Sequence, residues 1–315
     1  MSSTTNWRWW ELLLWCGAFA MPWLWAERAL VINEIAILAL FAVSLDLILG
    51  YTGIVSLGHA AFFGVGAYSA ALFAKFVHPD PLLGLLVGAA CATVLGAVCS
   101  ATILRGSDLT RLMVTLGVAL ILLELANKFD GLTGGTDGLQ GVVIAPLFGR
   151  FAFDLYGQVP ATYSLGVLLL LFVLARRLVQ SPFGATLVAI RDNRLRAMAI
   201  GIPVAQRLVV VYTVAAGVAG CAGALLAQTS GFASLDLFEF HRSADVMLVL
   251  VIGGTGWLYG GVLGALVFQV LQKAISSVTP QYWTFWIGLF LVVLVLVGRE
   301  RLVRPWTWRF GGQRV

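Results

Sequence analysis

Residues 44–76 read SLDLILGYTGIVSLGHAAFFGVGAYSAALFAKF. The run is apolar enough for a bilayer, yet Gly50, Gly53, Gly58, Gly64 and Gly66 interrupt it, with Tyr51 and Tyr68 beside them. A glycine inside a helix costs about 1 kcal/mol relative to alanine. That density leaves two readings open: a helix broken within the membrane, or helices drawn together through small residues. Asp46 and His59 flank the break. Ionisable groups at membrane depth face protein or water rather than lipid, so the first reading puts a transport path here.

The flanking sequence has the same character. Of 315 residues 60% are hydrophobic and only 11% charged, which no water-soluble fold requires. Apolar runs of membrane-spanning length recur from end to end. The chain is therefore read as an all-α polytopic integral membrane protein, with about ten transmembrane segments. The candidate spans are 10–26, 30–49, 53–75, 82–104, 108–126, 161–178, 207–229, 244–254, 258–275 and 283–298. At 1.5 Å per residue the eighth is too short for a full crossing; it reads as a half-helix paired with the ninth, and the third as partly re-entrant. Arg8 precedes a Trp-rich apolar run with no small-x-small cleavage site, so the first span is read as retained rather than as a signal peptide. Cys16, Cys91, Cys99 and Cys221 lie in apolar segments without CxxC spacing and read as core residues.

Topology follows from the basic residues. With the N-terminus inside, the ten-span arrangement puts Arg8, Arg105, Arg111, Arg176, Arg177, Arg191, Arg194, Arg196, Arg207, Arg299, Arg301, Arg304, Arg309 and Arg314 in the cytoplasm. Arg28, Lys75, Lys128, Arg150, Arg242 and Lys273 fall on or near the other side. Both termini are expected to be cytoplasmic, with 299–315 a basic tail. The segment 127–160 is then an extracytoplasmic loop whose GLTGGTDGLQGV reads as turns. The segment 176–207 is a cytoplasmic loop. In it Ser181-Pro182 signals a helix start, and Phe183, Leu187, Ile190, Leu195, Met198 and Ile200 mark an apolar face among Arg191, Arg194 and Arg196. Gly201-Ile202-Pro203 ends that helix. Such a helix lies on anionic lipid or fits a groove on a partner.

The chain also echoes itself. Gly50-Tyr51-Thr52-Gly53 matches Gly253-Gly254-Thr255-Gly256, and Gly58 matches Gly261 at the same offset. Glycine-broken segments at corresponding positions mark a repeat-built transporter with its path at the repeat interface; chance matching in a glycine-rich chain is the other explanation.

Several chemistries find no support. The only lysines are Lys75, Lys128 and Lys273, and none completes a P-loop, so this chain is not expected to bind ATP by one. Ser56 and His59 are three apart, but no G-x-S-x-G or third group makes them a hydrolase. Three histidines scattered through the chain argue against a metal site. Glu34, Asp46, Glu124 and Asp245 fall within or at the ends of apolar spans, where a proton-coupled secondary transporter would use acids as relays. Glu124 and Asp245 fit caps at span ends, and only Asp46, with His59, lies deep enough to argue for a relay.

The run SLDLILGYTGIVSLGHAAFFGVGAYSAALF resembles the signature of bacterial branched-chain amino acid ABC transporter permeases of the LivM type. GLTGGTDGLQGV, SPFGATLVAIRDNRLRAMAIGI and VLVIGGTGWLYGGVLGALVF continue the resemblance in the family's order, covering about 33–268. The resemblance implies a multi-pass protein of the bacterial inner membrane, and a transport subunit rather than an enzyme. Its implied partners are a second permease subunit, two cytoplasmic ATP-binding subunits and an extracytoplasmic substrate-binding protein, besides membrane lipid; nucleic acid is not among them. No cofactor is implied in this chain, because ATP is used by the partners. Phe183, Leu187, Ile190, Arg191, Arg194, Leu195 and Met198 become the coupling helix that docks the ATPase; Arg194 departs from the acidic residue that the family favours there. Asp46, Gly50, Gly53, Gly58, His59, Gly253, Gly256 and Gly261 become candidates for the translocation path. Thr133, Gly134, Gly135, Thr136, Asp137 and Gly138 become an outer loop for the binding protein or a gate.

Overall fold

The computed structural model describes residues 9–103, 106, 108–154, 156–278, 280–282, 285–290 and 292. Arg8, Arg105, Arg299, Arg301, Arg304, Arg309, Arg314, the tail 299–315 and most of the tenth candidate span lie outside them. The first helices are α1 (Trp9–Leu24), α2 (Ala29–Thr52), α3 (Ala60–Phe76), α4 (Pro81–Ile103), α5 (Asp108–Lys128) and the single turn α6 (Asp130–Thr133). They are followed by α7 (Gln158–Gln180), α8 (Pro182–Asp192), α9 (Arg194–Ala199), α10 (Val204–Ser230), α11 (Phe240–Gly253) and α12 (Leu258–Val278). Six of these, α2, α4, α5, α7, α10 and α12, are long and apolar enough to cross a membrane. The helices α1, α3 and α11, with 16, 17 and 14 residues, are shorter.

A helix that is apolar on every side is a buried helix, and α2 and α10 are of that kind. Residues 39–48 of α2 and 215–225 of α10 are buried without interruption. Around them pack α3 and α4 against α10, and α7 and α12 against α2. The α4 contact is a stripe of small residues at every fourth position. Gly84, Gly88, Ala92, Gly96 and Ser100 are buried, while Leu86, Val94 and Val98 point away and are exposed. A β-carbon on Gly96 would lie 2.4 Å from that of Ala216, and one on Gly66 of α3 only 2.2 Å from the Gly220 carbonyl. Lipid gives no hydrophobic drive for helix association, so close backbone packing supplies it. The two readings of residues 44–76 thus divide along the segment: Gly64 and Gly66 pack, whereas Gly50, Gly53 and Gly58 attend a break.

That break agrees with the broken-helix reading and moves the start of the third span from 53 to Ala60. The α2 helix runs on to Thr52 and stops at Gly53, whose φ of 73° places it in the left-handed region that glycine tolerates. Residues 53–59 are not helical, and α3 starts only at Ala60. Irregular backbone at membrane depth survives where protein covers it, and Ile54, Ser56, Gly58 and His59 are buried.

A correction concerns the expected single amphipathic helix after Ser181. Its start is as read: Pro182 is the first residue, and the Ser181 hydroxyl accepts from the Gly184 N–H. The helix breaks, however, at Asn193, which is extended (φ −158°) and caps α9 by accepting from the Arg196 N–H at 2.9 Å. Its apolar residues therefore do not share one face. Leu187 and Ile190 of α8 are buried, whereas Leu195 and Met198 are 76% and 47% exposed.

Candidate functional site

Three segments meet at the end of the bundle that carries α8. The last turns of α2 bring Asp46, Gly50 and Tyr51; the turn between α11 and α12 brings Gly253, Gly254 and Gly256; α8 brings Arg191. The Gly256 N–H donates to Asp46 Oδ1 at 2.7 Å, and the Leu258 backbone lies beside the Tyr51 hydroxyl. Gly256 lies in the turn just before α12 and Leu258 is its first residue, where helix N–H groups lack partners in the chain itself. A carboxylate placed there also meets the positive end of the helix dipole. Asp46 is fully buried, and its second oxygen has no hydrogen-bond partner among the described residues.

Contact at this junction depends on missing side chains. A β-carbon on Gly50 would stand 2.1 Å from Asp46 Oδ1 and 2.3 Å from the Gly256 nitrogen. The two echoed glycine segments, more than 200 residues apart in the chain, are therefore in direct contact. The other echoed pair is not: Gly58 lies against the Thr115 carbonyl of α5, and Gly261 against Val43 of α2.

Arg191 reads the junction from outside. Its Nη1 donates to the Gly50 carbonyl at 2.6 Å. Its side chain also sits within 3.4 Å of where β-carbons on Gly53 and Gly256 would be. Asp192 lies beside it at 3.4 Å. One guanidinium thus spans the end of α2 and the α11–α12 turn.

His59, the other candidate polar group near the path, sits on a different side of α2. Ser44 and Asp46 are two residues apart on α2, hence on opposite sides of it, and His59 is on the Ser44 side. The Ser44 hydroxyl donates to the Phe41 carbonyl at 2.6 Å, so its oxygen accepts from His59 Nε2 at 2.9 Å. This leaves Nδ1 buried without a partner among the described residues. The imidazole stacks on Phe41 and meets Phe62 edge-on, with centroids 5.6 and 5.7 Å apart. Next to it, the Ala60 N–H at the start of α3 donates to Ser243 Oγ of α11 at 2.9 Å. Sequence reading missed Ser44 and Ser243, since serines within apolar runs carry no periodic signal. Ser243→Ala leaves that buried N–H unpaired, a loss of about 0.5–2 kcal/mol. The expected result is a fall of the thermal midpoint in detergent by about 2–4 °C per kcal/mol; an unchanged midpoint would show that α3 is held otherwise.

At the opposite end Thr133 binds the Ala126 and Phe129 carbonyls at 2.5 and 2.8 Å. Gly134, Gly135 and Gly138 have positive φ, and Leu139 pairs with Ala233. This loop is pinned to 231–233; Thr136 and Asp137 are exposed on it. Of the acids, Glu124 is exposed on α5, and Glu34 pairs with Lys273 and Gln269 at 2.6 Å. Asp245 is the sixth residue of α11 and does not cap it; it lines a cavity with Glu34.

Residues 28–297 match the model of the family described as branched-chain amino acid transport system / permease component. The chain is 28% identical over 295 residues to the high-affinity branched-chain amino acid transport system permease protein LivM of Salmonella typhimurium, covering 85% of this chain and 68% of that one. It is 28% identical to the ribose import permease protein RbsC of Bacillus subtilis, over 86% and 84% of the two chains. It is likewise 28% identical to the autoinducer 2 import system permease protein LsrC of an Enterobacter species, over 85% and 86%. No solved structure matches the chain.

Proposed function

The chain belongs to the branched-chain amino acid transport system permease component family, and from that premise we propose that it is the permease subunit of an ATP-driven importer for branched-chain or related amino acids. Ten spans with both termini in the cytoplasm place α8, α9 and the Arg191 junction on the cytoplasmic side. A second permease subunit completes the path, two ATP-binding subunits supply the energy, and a soluble binding protein delivers the solute near the loop at 133–138.

The observation that carries this reading is the bond from Arg191 to Gly50. It ties the α8–α9 segment to the place where α2 seals against the start of α12. Motion of the ATPase subunits, received by Leu195 and Met198 on exposed α9, reaches α8 across Asn193 and pulls or releases Arg191. Release frees the α2 end from the α11–α12 turn, and the path opens to the cytoplasm. The broken backbone at 53–59 gives α3 room to move independently of α2.

The test is purification of the tagged chain from detergent. A P-loop ATPase is expected to co-purify, and the pair Leu195→Asp and Met198→Asp is expected to remove it while leaving the chain folded, because both side chains are exposed. A chain that purifies alone and moves solute on a proton gradient would establish a stand-alone secondary transporter instead.

A further inference from the structure

A cavity of about 700 Å³ opens between α2, α3, α10, α11 and α12, at the end of the bundle away from Arg191. That volume is within the range of about 300–1,000 Å³ usual for small-molecule sites. Its apolar wall is made by Ile37, Leu38, Phe41, Phe63, Leu226 and Phe268. Phe41 also stacks on His59 and lies 4.6 Å from Phe63, ring centre to ring centre. The aromatic layer therefore separates the cavity from the buried break beneath it.

The polar wall carries charges of both signs. Lys273 and Glu34 satisfy each other at 2.6 Å. Arg242 gives one donor to Asp236 at 2.9 Å, and a guanidinium has five. Asp245 is half-buried and has no hydrogen-bond partner among the described residues. Arg242 and Asp245 are three apart on α11, so they are neighbours on one helix face, about 5–6 Å between β-carbons. A ligand with its own positive and negative groups one carbon apart, and an apolar side chain, matches both walls together.

We propose that this cavity binds the zwitterion of an apolar α-amino acid, its ammonium on Asp245, its carboxylate on Arg242 and its side chain against Phe41, Phe63 and Phe268. The proposal rests on the permease reading and selects among the solutes of the chain's relatives. A sugar offers hydroxyls to Asp245 and Arg242, but it brings no charge of either sign and no apolar side chain for the wall of Phe41, Phe63 and Phe268. Solute at this position lies on the Phe41–His59 layer.

The experiment uses the chain with its co-purified partners in lipid nanodiscs, with the soluble binding protein left out. Labelled L-leucine is measured by equilibrium dialysis against unlabelled L-leucine, 4-methylpentanoate (no ammonium), 3-methylbutylamine (no carboxylate) and D-ribose. L-Leucine is expected to displace the label, and each other compound to be at least about tenfold weaker, the ratio that one lost charged hydrogen bond gives. Asp245→Asn and Arg242→Gln are each expected to weaken leucine by a similar factor, while Leu266→Ala, exposed on α12, leaves it unchanged. The competitor series decides the matter even where a variant does not fold. Displacement by ribose, undiminished binding in both variants, or no saturable leucine binding at about 1 mM, the weak end of ordinary substrate affinities, would overturn the proposal. ATP-driven uptake by the same preparation is scored separately: uptake without leucine binding sinks the site and keeps the permease, whereas leucine binding with no ATP-driven uptake sinks the permease reading.

Discussion

Arg191→Gln is expected to cut ATP-driven uptake in proteoliposomes by at least tenfold, while ATP hydrolysis by the assembled transporter continues. The reasoning is one of coupling. Arg191 is 40% exposed along its side chain, yet its Nη1 reaches the buried Gly50 carbonyl at 2.6 Å. A hydrogen bond from a charged donor contributes about 1.5–3 kcal/mol, and its presence in only one of two conformations biases them by a factor of about 10–150. Glutamine is too short to span the distance and loses the bias in full. Lysine keeps a charge and N–H donors, and one donated bond is all that the Gly50 carbonyl receives from Arg191, so Arg191→Lys is expected to retain much of the uptake. Equal loss in both variants would mean that the residue serves only ATPase docking.

The second large effect is expected at Gly50. Helix propensity alone predicts that alanine in place of a helical glycine stabilises by about 0.5–1 kcal/mol. Packing predicts the opposite sign here, because the new β-carbon would stand 2.3 Å from the Gly256 nitrogen and 2.8 Å from its α-carbon. Backbone cannot swing aside as a flexible side chain can. Overpacking costs about 1–3 kcal/mol, and forcing the turn away also breaks the Gly256–Asp46 bond, worth about 1.5–3 kcal/mol. Their sum, about 2.5–6 kcal/mol, reaches the lower end of the range of about 5–15 kcal/mol for whole folds. Gly50→Ala is therefore expected to abolish the folded, monodisperse species in size-exclusion chromatography. Gly17→Ala, at a helical position with nothing within 4 Å, is the control and is expected to be neutral or slightly stabilising. A stable Gly50→Ala protein would mean that the α2 end and the α11–α12 turn are not in contact.

These two residues also show how far the sequence could be read. Glycines at 50, 53, 253 and 256 announced two breaks because Gly53 and Gly256 adopt positive φ, a requirement visible in residue type. That the breaks touch was suggested by the echo and by nothing else local. His59 and Asp46 were grouped by their flanking of one run, but helical rotation between Ser44 and Asp46 puts them on opposite sides of α2. The residues of the cavity were out of reach for another reason. Asp245 resembled an end cap because periodicity marks where an apolar run starts, whereas α11 begins five residues earlier, at Phe240. Arg242 and Lys273 looked like ordinary end-of-span charges, since no pattern along the chain tells which helix ends converge. The split between buried Leu187 and Ile190 and exposed Leu195 and Met198 was legible in principle: Asn193 is a capping residue type, and it starts a new helix.

Coupling between the cavity at Phe41 and the junction at Arg191 is the central claim, and thiol accessibility tests it most directly. With Cys16, Cys91, Cys99 and Cys221 replaced by alanine, Leu38→Cys places a thiol on the cavity wall. Its reaction with a membrane-impermeant maleimide is followed in the assembled transporter, without nucleotide and after trapping with ADP and vanadate. The account predicts labelling rates that differ at least about tenfold between the two states, and equal rates in Arg191→Gln, where the coupling bias is lost. Equal rates in the unmodified Arg191 background would contradict it, leaving the cavity a static feature unconnected to ATP.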